Sequence, residues 1–177
     1  MTESQNNKIL YIGGFELPDK NAAAHRVIGI AKSLRQIGCK VVFINTLKQG
    51  GSKRKIKNYF GFITVEYKRE NQFDYLFSAK TVIGNIKVLK PDIIIAYNYP
   101  AVALNRVRRF CQRNNIKCIV DVTEWYDAVT GNIIHRTLKR FDTWFRMEVV
   151  QKKSDGVIAI SRFLYDFFKD SIRTVLV

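Results

Sequence analysis

The chain is poor in histidine, cysteine, proline and acidic residues, and it has no long apolar run. Its two histidines, His25 and His135, lie far apart with no Cys or Asp/Glu cluster at ligand spacing, so no metal site is expected. Cys39, Cys111 and Cys118 form no Cys-x-x-Cys pair and are odd in number. They read as small hydrophobes in a reducing cytoplasm. The longest apolar stretches, such as Asp92-Ile-Ile-Ile-Ala-Tyr97, are strand-length and far below the roughly 20 residues a bilayer requires. The first eight residues are polar and lack the apolar core of a secretion signal, which places the chain in the cytoplasm. No Gly-x-Gly-x-x-Gly, Gly-Lys-Ser/Thr or Gly-x-Ser-x-Gly is present, which counts against a dehydrogenase, an NTPase and a nucleophile-elbow hydrolase. Internal repeats, low-complexity linkers and a second domain are absent from the pattern.

What is there is a globular composition. Across 177 residues, 47% are hydrophobic and 12% aromatic, enough for one domain with a substantial core. Against 15 acidic residues stand 30 basic ones, a net charge of +15. That balance predicts attraction to polyanions, whether nucleic acid, an anionic membrane face or a phosphorylated small substrate, and composition alone does not choose.

Strand-like runs alternate with helical periodicity. Strands are expected at 8–13, 39–44, 62–67, 92–97, 117–122, 156–161 and 174–177. Helices are expected from Ala22 to the stop at Gly38, around Phe73 to Ile86, around Leu104 to Cys111, over 134–153 and over 163–168. In the long helix, Ile134, Leu138, Phe141 and Phe145 form an apolar stripe expected to face the core. Such alternation implies an α/β, three-layer Rossmann-like domain, a mostly parallel sheet with helices on both faces. The chain ends at Val177 inside an apolar strand, so it is expected to stop at a domain boundary.

Ligands of open parallel sheets lie outside the carboxyl ends of the strands. That rule selects the loops 13–24, 46–58, 98–101, 123–132 and 161–162. In the first, Gly13 and Gly14 let backbone approach a ligand, and the following helix offers its positive end to an anion. His25 and Arg26 lie in that helix's first turns, where a cation is unfavourable; an anionic ligand would offset it, or both side chains are simply solvated. In Asp121-Val-Thr-Glu-Trp-Tyr-Asp127, aromatic rings beside carboxylates suit sugar recognition. Glu124 is a candidate general base or hydroxyl orienter; equally, Trp125 and Tyr126 could be core anchors. The polar, basic stretch 46–58 runs into Lys53-Arg-Lys-Ile-Lys-Asn-Tyr-Phe-Gly-Phe62, which interleaves cations with aromatics. Its Lys53, Arg54, Lys55, Lys57, Tyr59 and Phe60 suit an anionic lipid surface, the phosphates of a nucleic acid or a solvated loop.

Taken in order, several segments resemble the N-terminal domain of the GT-B glycosyltransferases of family 4, the group 1 transferases. They are Ile9-Leu-Tyr-Ile-Gly-Gly14, the Ala-Ala-Ala-His-Arg run at 22–26, the helix-Gly-strand junction at 34–42, and Pro91-Asp-Ile-Ile-Ile-Ala96. Val120-Asp-Val-Thr-Glu-Trp-Tyr126 and Val157-Ile-Ala-Ile-Ser-Arg-Phe-Leu164 complete the set, which spans nearly the whole chain. The resemblance implies two Rossmann-like domains facing across a cleft, with residues 1–177 forming the acceptor-binding one and the C-terminal, donor-binding one absent. It implies transfer from a nucleotide-sugar to a polysaccharide or lipid-linked acceptor, with retained anomeric configuration, no cofactor and no metal. Gly13 and Gly14 would approach the donor, and Asn21, His25, Arg26, Asn98, Trp125 and Tyr126 would face the acceptor. Glu124 stands in the loop where many relatives place a histidine near the reacting centre, and that histidine is missing. The basic-aromatic stretch at 53–60 would rest peripherally on the anionic inner membrane face. The family's Glu-x7-Glu signature belongs to the second domain, so this chain alone is expected to be inactive. An acceptor subunit of a split transferase fits the same residues. A nucleic-acid-binding module would account for the charge, yet no recognisable nucleic-acid signature accompanies it. On the transferase reading, Gly13, Gly14, Arg26 and Glu124 share one rim of the sheet.

Overall fold

A computed structural model of the chain describes residues 6–47, 54–68, 76–125 and 133–177. The elements run β1 (Lys8–Gly13), α1 (Ala22–Gln36), β2 (Lys40–Leu47), β3 (Arg54–Tyr59), β4 (Phe62–Lys68), α2 (Lys80–Leu89), β5 (Ile93–Tyr97), α3 (Ala101–Arg113) and β6 (Lys117–Val122). Then come α4 (Ile133–Trp144), a π-helical turn (Phe145–Val150), a 3-10 turn (Gln151–Lys153), β7 (Gly156–Ala159), α5 (Arg162–Phe168) and β8 (Thr174–Leu176). They build one eight-stranded sheet in the order β3-β4-β2-β1-β5-β6-β7-β8. Every pairing is parallel except β3 with β4. The chain moves outward from β1 in both directions, so strand order reverses between β1 and β5, the place where α/β sheets of this kind bind ligands.

Alternation along the strands sorts the core into two layers. Ile9 and Tyr11 of β1 join Val41, Phe43 and Ile95 beneath α1, which contributes Ala24, Val27, Ile28 and Ala31. Leu10 and Ile12 join Ile44, Ile94 and Val120 on the other face, under Ile86 of α2, Leu104 and Val107 of α3, Met147, Val150, and Leu164 and Phe168 of α5. Burying a side chain of this size is worth about 1.5–3 kcal/mol, so these two layers carry the fold. Asn21 caps α1, its Oδ1 accepting from the Ala24 amide at 2.9 Å.

Two expectations need correction. The stretch 46–58 is not one loop. β2 continues through Leu47, and Arg54–Tyr59 is an antiparallel edge strand on β4; Lys53 lies outside the described residues. The alternation of Ile56 with Lys55 and Lys57 is compatible with a two-sided edge strand. The hairpin is closed by Phe60 (φ 54) and Gly61 (φ 81), the left-handed pair a two-residue turn requires. Its tip lies at the amino edge of the parallel strands, away from the loops after β1, β5 and β6.

The long helix also differs from expectation. Of the expected stripe, Phe145 packs on the core and Phe141 is 57% exposed, the side chains of Ile134 and Leu138 lie outside the described residues, and the residues buried deepest are Thr143, Arg146, Met147 and Val150. Two polar residues in the true stripe disguise it in an apolar count, and the phase set by Met147 and Val150 turns Phe141 outward. Beside it, Asp142 accepts the Ala101 amide at 3.1 Å and so caps the start of α3.

Candidate functional site

The carboxyl ends of β1, β2, β4, β5 and β6 share one edge, and their last α1-facing residues are not apolar. Gly13, Asn45 and Glu66 sit side by side in register on β1, β2 and β4. Tyr97 and Asp121 are register partners on β5 and β6. Asn45 and Asp121 are fully buried and Glu66 nearly so. This polar tier forms the floor beneath the first loop.

Its strongest element joins three segments. The Tyr11 hydroxyl donates to Asp121 Oδ2, and Arg26 donates Nη2 and Nε to Asp121 Oδ1 at 2.8 and 3.0 Å. Burial pushes the Asp121 carboxyl above its ordinary range, while the hydrogen bonds from Arg26 and Tyr11 pull it back. Burial, then the Asp121 charge, raises the Tyr11 phenol well above its usual value. Arg26, whose position at the start of α1 needed an anion, finds one in this protein's own Asp121. Its remaining Nη1 reaches the Val177 carbonyl at 3.2 Å.

Gly13 is required by packing. A Cβ there would meet the Phe15 ring at 2.9 Å and Tyr97 Cβ at 3.0 Å. Phe15 is fully buried between Tyr11, Phe43 and Tyr97, and its amide donates to Asn45 Oδ1 at 3.1 Å. The first loop thus plugs the core with Phe15 and leaves Gly14 exposed at the surface.

Asn98 (φ 39) fastens the loop after β5 to the loop after β6: its side chain donates to Thr123 Oγ1 and accepts the Thr123 amide at 3.1 Å. Both ends of its amide are engaged, so it shapes the rim. Glu124 is exposed just beyond and is an open carboxylate of the rim, as are Glu16 and Asp19 of the first loop, whereas Asp121 is buried and paired. Trp125 is 42% exposed and stands edge-on to Phe163 and Phe167, at centroid distances of 5.7 and 4.9 Å. That is an aromatic wall beside a carboxylate. Tyr126 lies outside the described residues. His25 is exposed and, with Arg26, lines the mouth of an apolar groove between α1 (Ile30, Leu34, Ile37) and Ile158, Ile160 and Val177.

The structure therefore brings Gly13, Gly14, Arg26, Glu124 and Trp125 to one edge. It puts Arg54, Lys55, Lys57, Tyr59 and Phe60 on the outer hairpin. Sequence reasoning missed Tyr11, Asn45 and Glu66 as parts of the site's floor. The available signal was a polar residue interrupting each apolar strand on one parity. Among the described residues no three His, Cys, Asp or Glu side chains cluster as a metal would need, and no helix is long and apolar enough to cross a membrane.

No protein-family model and no curated protein matches the sequence. Solved structures do. The sucrose-phosphate synthase of Thermosynechococcus elongatus superposes with a TM-score of 0.65 at 13% identity. The trehalose-6-phosphate synthase of Escherichia coli, with UDP-2-fluoro glucose bound, superposes with a TM-score of 0.57 at 12% identity. Each match covers 96% of this chain but only 47% and 48% of those proteins, so the chain spans about half their length. Both are GT-B glycosyltransferases, and this chain has the Rossmann-like fold of one GT-B domain. At such identities the likeness speaks for fold, and function has to be argued from the site.

Proposed function

We propose that this chain is the acceptor-binding half of a glycosyltransferase, one wall of a cleft whose other wall is a donor-binding domain. The observation that carries the reading is coincidence of place. The carboxyl edge of the sheet, where this fold takes ligands, presents an open carboxylate (Glu124) after β6, an aromatic wall (Trp125, Phe163) after β6 and β7, and two exposed basic side chains (His25, Arg162). Rings that pack on pyranose faces next to a carboxylate that accepts hydroxyl protons suit a sugar. The basic balance of the chain favours a phosphorylated or lipid-phosphate-linked one.

In this reading Gly14, exposed above the Phe15 plug, is the point of backbone approach to the donor side. Glu124 orients the acceptor hydroxyl, and Trp125 packs on its ring. Asn21, Asn98, Arg26, Tyr11 and Asp121 hold the rim in shape. Transfer retains the anomeric configuration and uses neither metal nor cofactor. The nucleotide-sugar is a substrate gripped mainly by the second domain, supplied by the same polypeptide or a partner subunit. The acceptor is a cell-surface polysaccharide or a lipid-linked precursor, and the enzyme works at the cytoplasmic membrane face.

Titration of the isotope-labelled chain with hexose phosphates and with UDP-glucose, followed by amide NMR, tests this. Hexose phosphate should shift Glu124 and Trp125, and UDP-glucose alone should leave those two nearly unmoved. Shifts confined to the α1–β7 groove would refute the assignment.

A further inference from the structure

Part of the excess of cations collects on the layer formed by α2 and α3. Neither helix carries a carboxylate. The exposed residues of α3 are Arg106, Arg109, Gln112 and Arg113, and those of α2 include Lys80 and Lys87. Arg106, Arg109 and Arg113 recur at three- and four-residue spacing and so share one stripe, as Lys80, Gly84 and Lys87 do on α2. Like charges at that spacing repel one another, and nothing on either helix offsets them.

Two contacts bring the stripes to one seam. Arg106 Nη1 donates to the Phe77 carbonyl at 2.6 Å, just ahead of α2, and Lys87 Nζ stands 5.9 Å from the centre of the Phe110 ring on α3. Many cations elsewhere are occupied. Lys57 pairs with Glu66, Lys117 with Asp155 and Lys152 with Glu148, while Arg162 and Lys169 share Asp166. On α1, Arg26 holds Asp121, and Lys32 and Arg35 lie over the rings of Phe60 and Phe62. Lys80, Lys87, Arg106, Arg109 and Arg113 have no carboxylate within ion-pair reach among the described residues.

A face of unpaired cations attracts a polyanion, and its other residues say which kind. Val88 is the only large hydrophobic side chain that α2 and α3 expose. The face therefore lacks the apolar side that sinks into a bilayer. It also lacks a succession of open rings on which bases stack, since Phe110 is half-buried beside Lys87. A hydrated, extended, charged polymer fits it better. Its place fits too. The loop before α3 is fastened by Asn98 to Thr123, next to Glu124 and Trp125. From Ala101, Arg106 lies about 7.5 Å and Arg113 about 18 Å along the helix axis, so the cations lead away from the rim.

We infer that the seam of α2 and α3, through Lys80, Lys87, Arg106, Arg109 and Arg113, is a binding surface for an acidic polysaccharide. It grips the body of a polymer whose end reaches the Glu124–Trp125 rim. The choice of a glycan rests on the acceptor reading, which it deepens by making the acceptor an anionic polymer. Polymer at the seam and sugar phosphate at the rim are measured separately, so either can fail alone.

Calorimetric titration of the whole chain with oligogalacturonate, neutral dextran of matched length, polyglutamate and a single-stranded oligonucleotide tests this. Oligogalacturonate should bind, less tightly as salt rises, and dextran should not. Polyglutamate and the oligonucleotide should bind more weakly than the acidic glycan. Arg109→Glu with Arg113→Glu should weaken oligogalacturonate by about tenfold or more, and Arg109→Lys with Arg113→Lys should keep most of the binding. Arg54→Glu with Lys55→Glu, an equal change of net charge on the exposed hairpin, should leave it nearly unchanged. Hexose phosphate at the rim should not sense the reversal on α3. The substituted side chains are exposed, and urea melts of each variant verify an intact fold. Absence of oligogalacturonate binding, equal losses in the two double reversals, or tighter binding of dextran, polyglutamate or the oligonucleotide would overturn the proposal. Oligogalacturonate held at the seam without any hexose phosphate at the rim would leave this surface standing and remove the acceptor reading.

Discussion

The Tyr11 hydroxyl and the Asp121 carboxylate, 110 residues apart in sequence, meet in a buried hydrogen bond of 2.5 Å under the carboxyl edge of the sheet. Arg26 closes on the same carboxylate from α1. One buried anion thereby fixes the relative positions of β1, β6 and the first turns of α1, the three elements that carry the candidate rim.

Removing the guanidinium tests that role. Burial holds the folded-state pKa of Asp121 above its unfolded value of about 3.9. The folded chain therefore binds the extra proton between those two values, and this group's contribution to stability falls as pH rises through the folded pKa. Without Arg26 the folded pKa climbs further and the fall extends to higher pH. Arg26→Ala should lose about 3–5 kcal/mol near neutral pH, since it strands a buried carboxylate. The gap to wild type should narrow as acid protonates Asp121. Urea unfolding at several pH values reads this, and a gap independent of pH would contradict it.

Gly13 makes a second case. An alanine Cβ has no room beside the Phe15 ring and Tyr97 Cβ, so Gly13→Ala should cost about 1–3 kcal/mol through overpacking. Phe15→Leu pulls back the ring edge, so the double variant should lose less than the two single losses added together. A double-mutant cycle by denaturant unfolding measures the coupling; strict additivity would mean that Phe15 is not the obstacle.

At the hairpin tip the direction reverses. Phe60 holds φ 54, an unfavourable angle for a bulky side chain, and asparagine tolerates it better. The Arg35 Nη1 bond to the Phe60 carbonyl, at 3.1 Å, does not depend on the side chain. Phe60→Asn should therefore stabilise the fold by about 0.5–1 kcal/mol. Thermal or urea midpoints decide it, and a loss would show that Lys32 packing on the Phe60 ring outweighs the backbone gain.

How much of this was legible in the sequence follows from which forces write a local pattern. The strands and their parallel order were readable because two-sided burial produces the runs at 8–13, 92–97 and 117–122. The phase of the helix over 133–153 was not, because Arg146 and Thr143 stand in its buried stripe and no apolar count includes them. The edge strand at 54–59 was hidden for a related reason: its outer side meets water, so it carries cations where an inner strand carries valine. In the site, Gly13, Arg26 and Trp125 could be nominated from loop position alone. Their partners could not, because Asp121 for Arg26 and Phe15 for Gly13 are decided by where the chain returns in three dimensions.

The acceptor reading makes its sharpest demand on Trp125. If Trp125 only filled the core, it would be buried; it is instead held on edge by Phe163 and Phe167, with part of its indole open beside Glu124. Trp125→Ala should then weaken binding of a phosphosugar acceptor by about tenfold, the equivalent of about 1.4 kcal/mol for one lost ring contact. Its effect on stability should be small, because the side chain is far from fully buried. Phe163→Ala removes the ring that steadies the indole and should give a smaller loss of affinity in the same direction. Arg26→Lys keeps a charge but loses the forked contact with Asp121, so it should act on stability first and on affinity only through the rim. Calorimetric titration of the folded variants separates these outcomes. An affinity indifferent to Trp125 would move the sugar away from this wall, and with it the role assigned to Glu124.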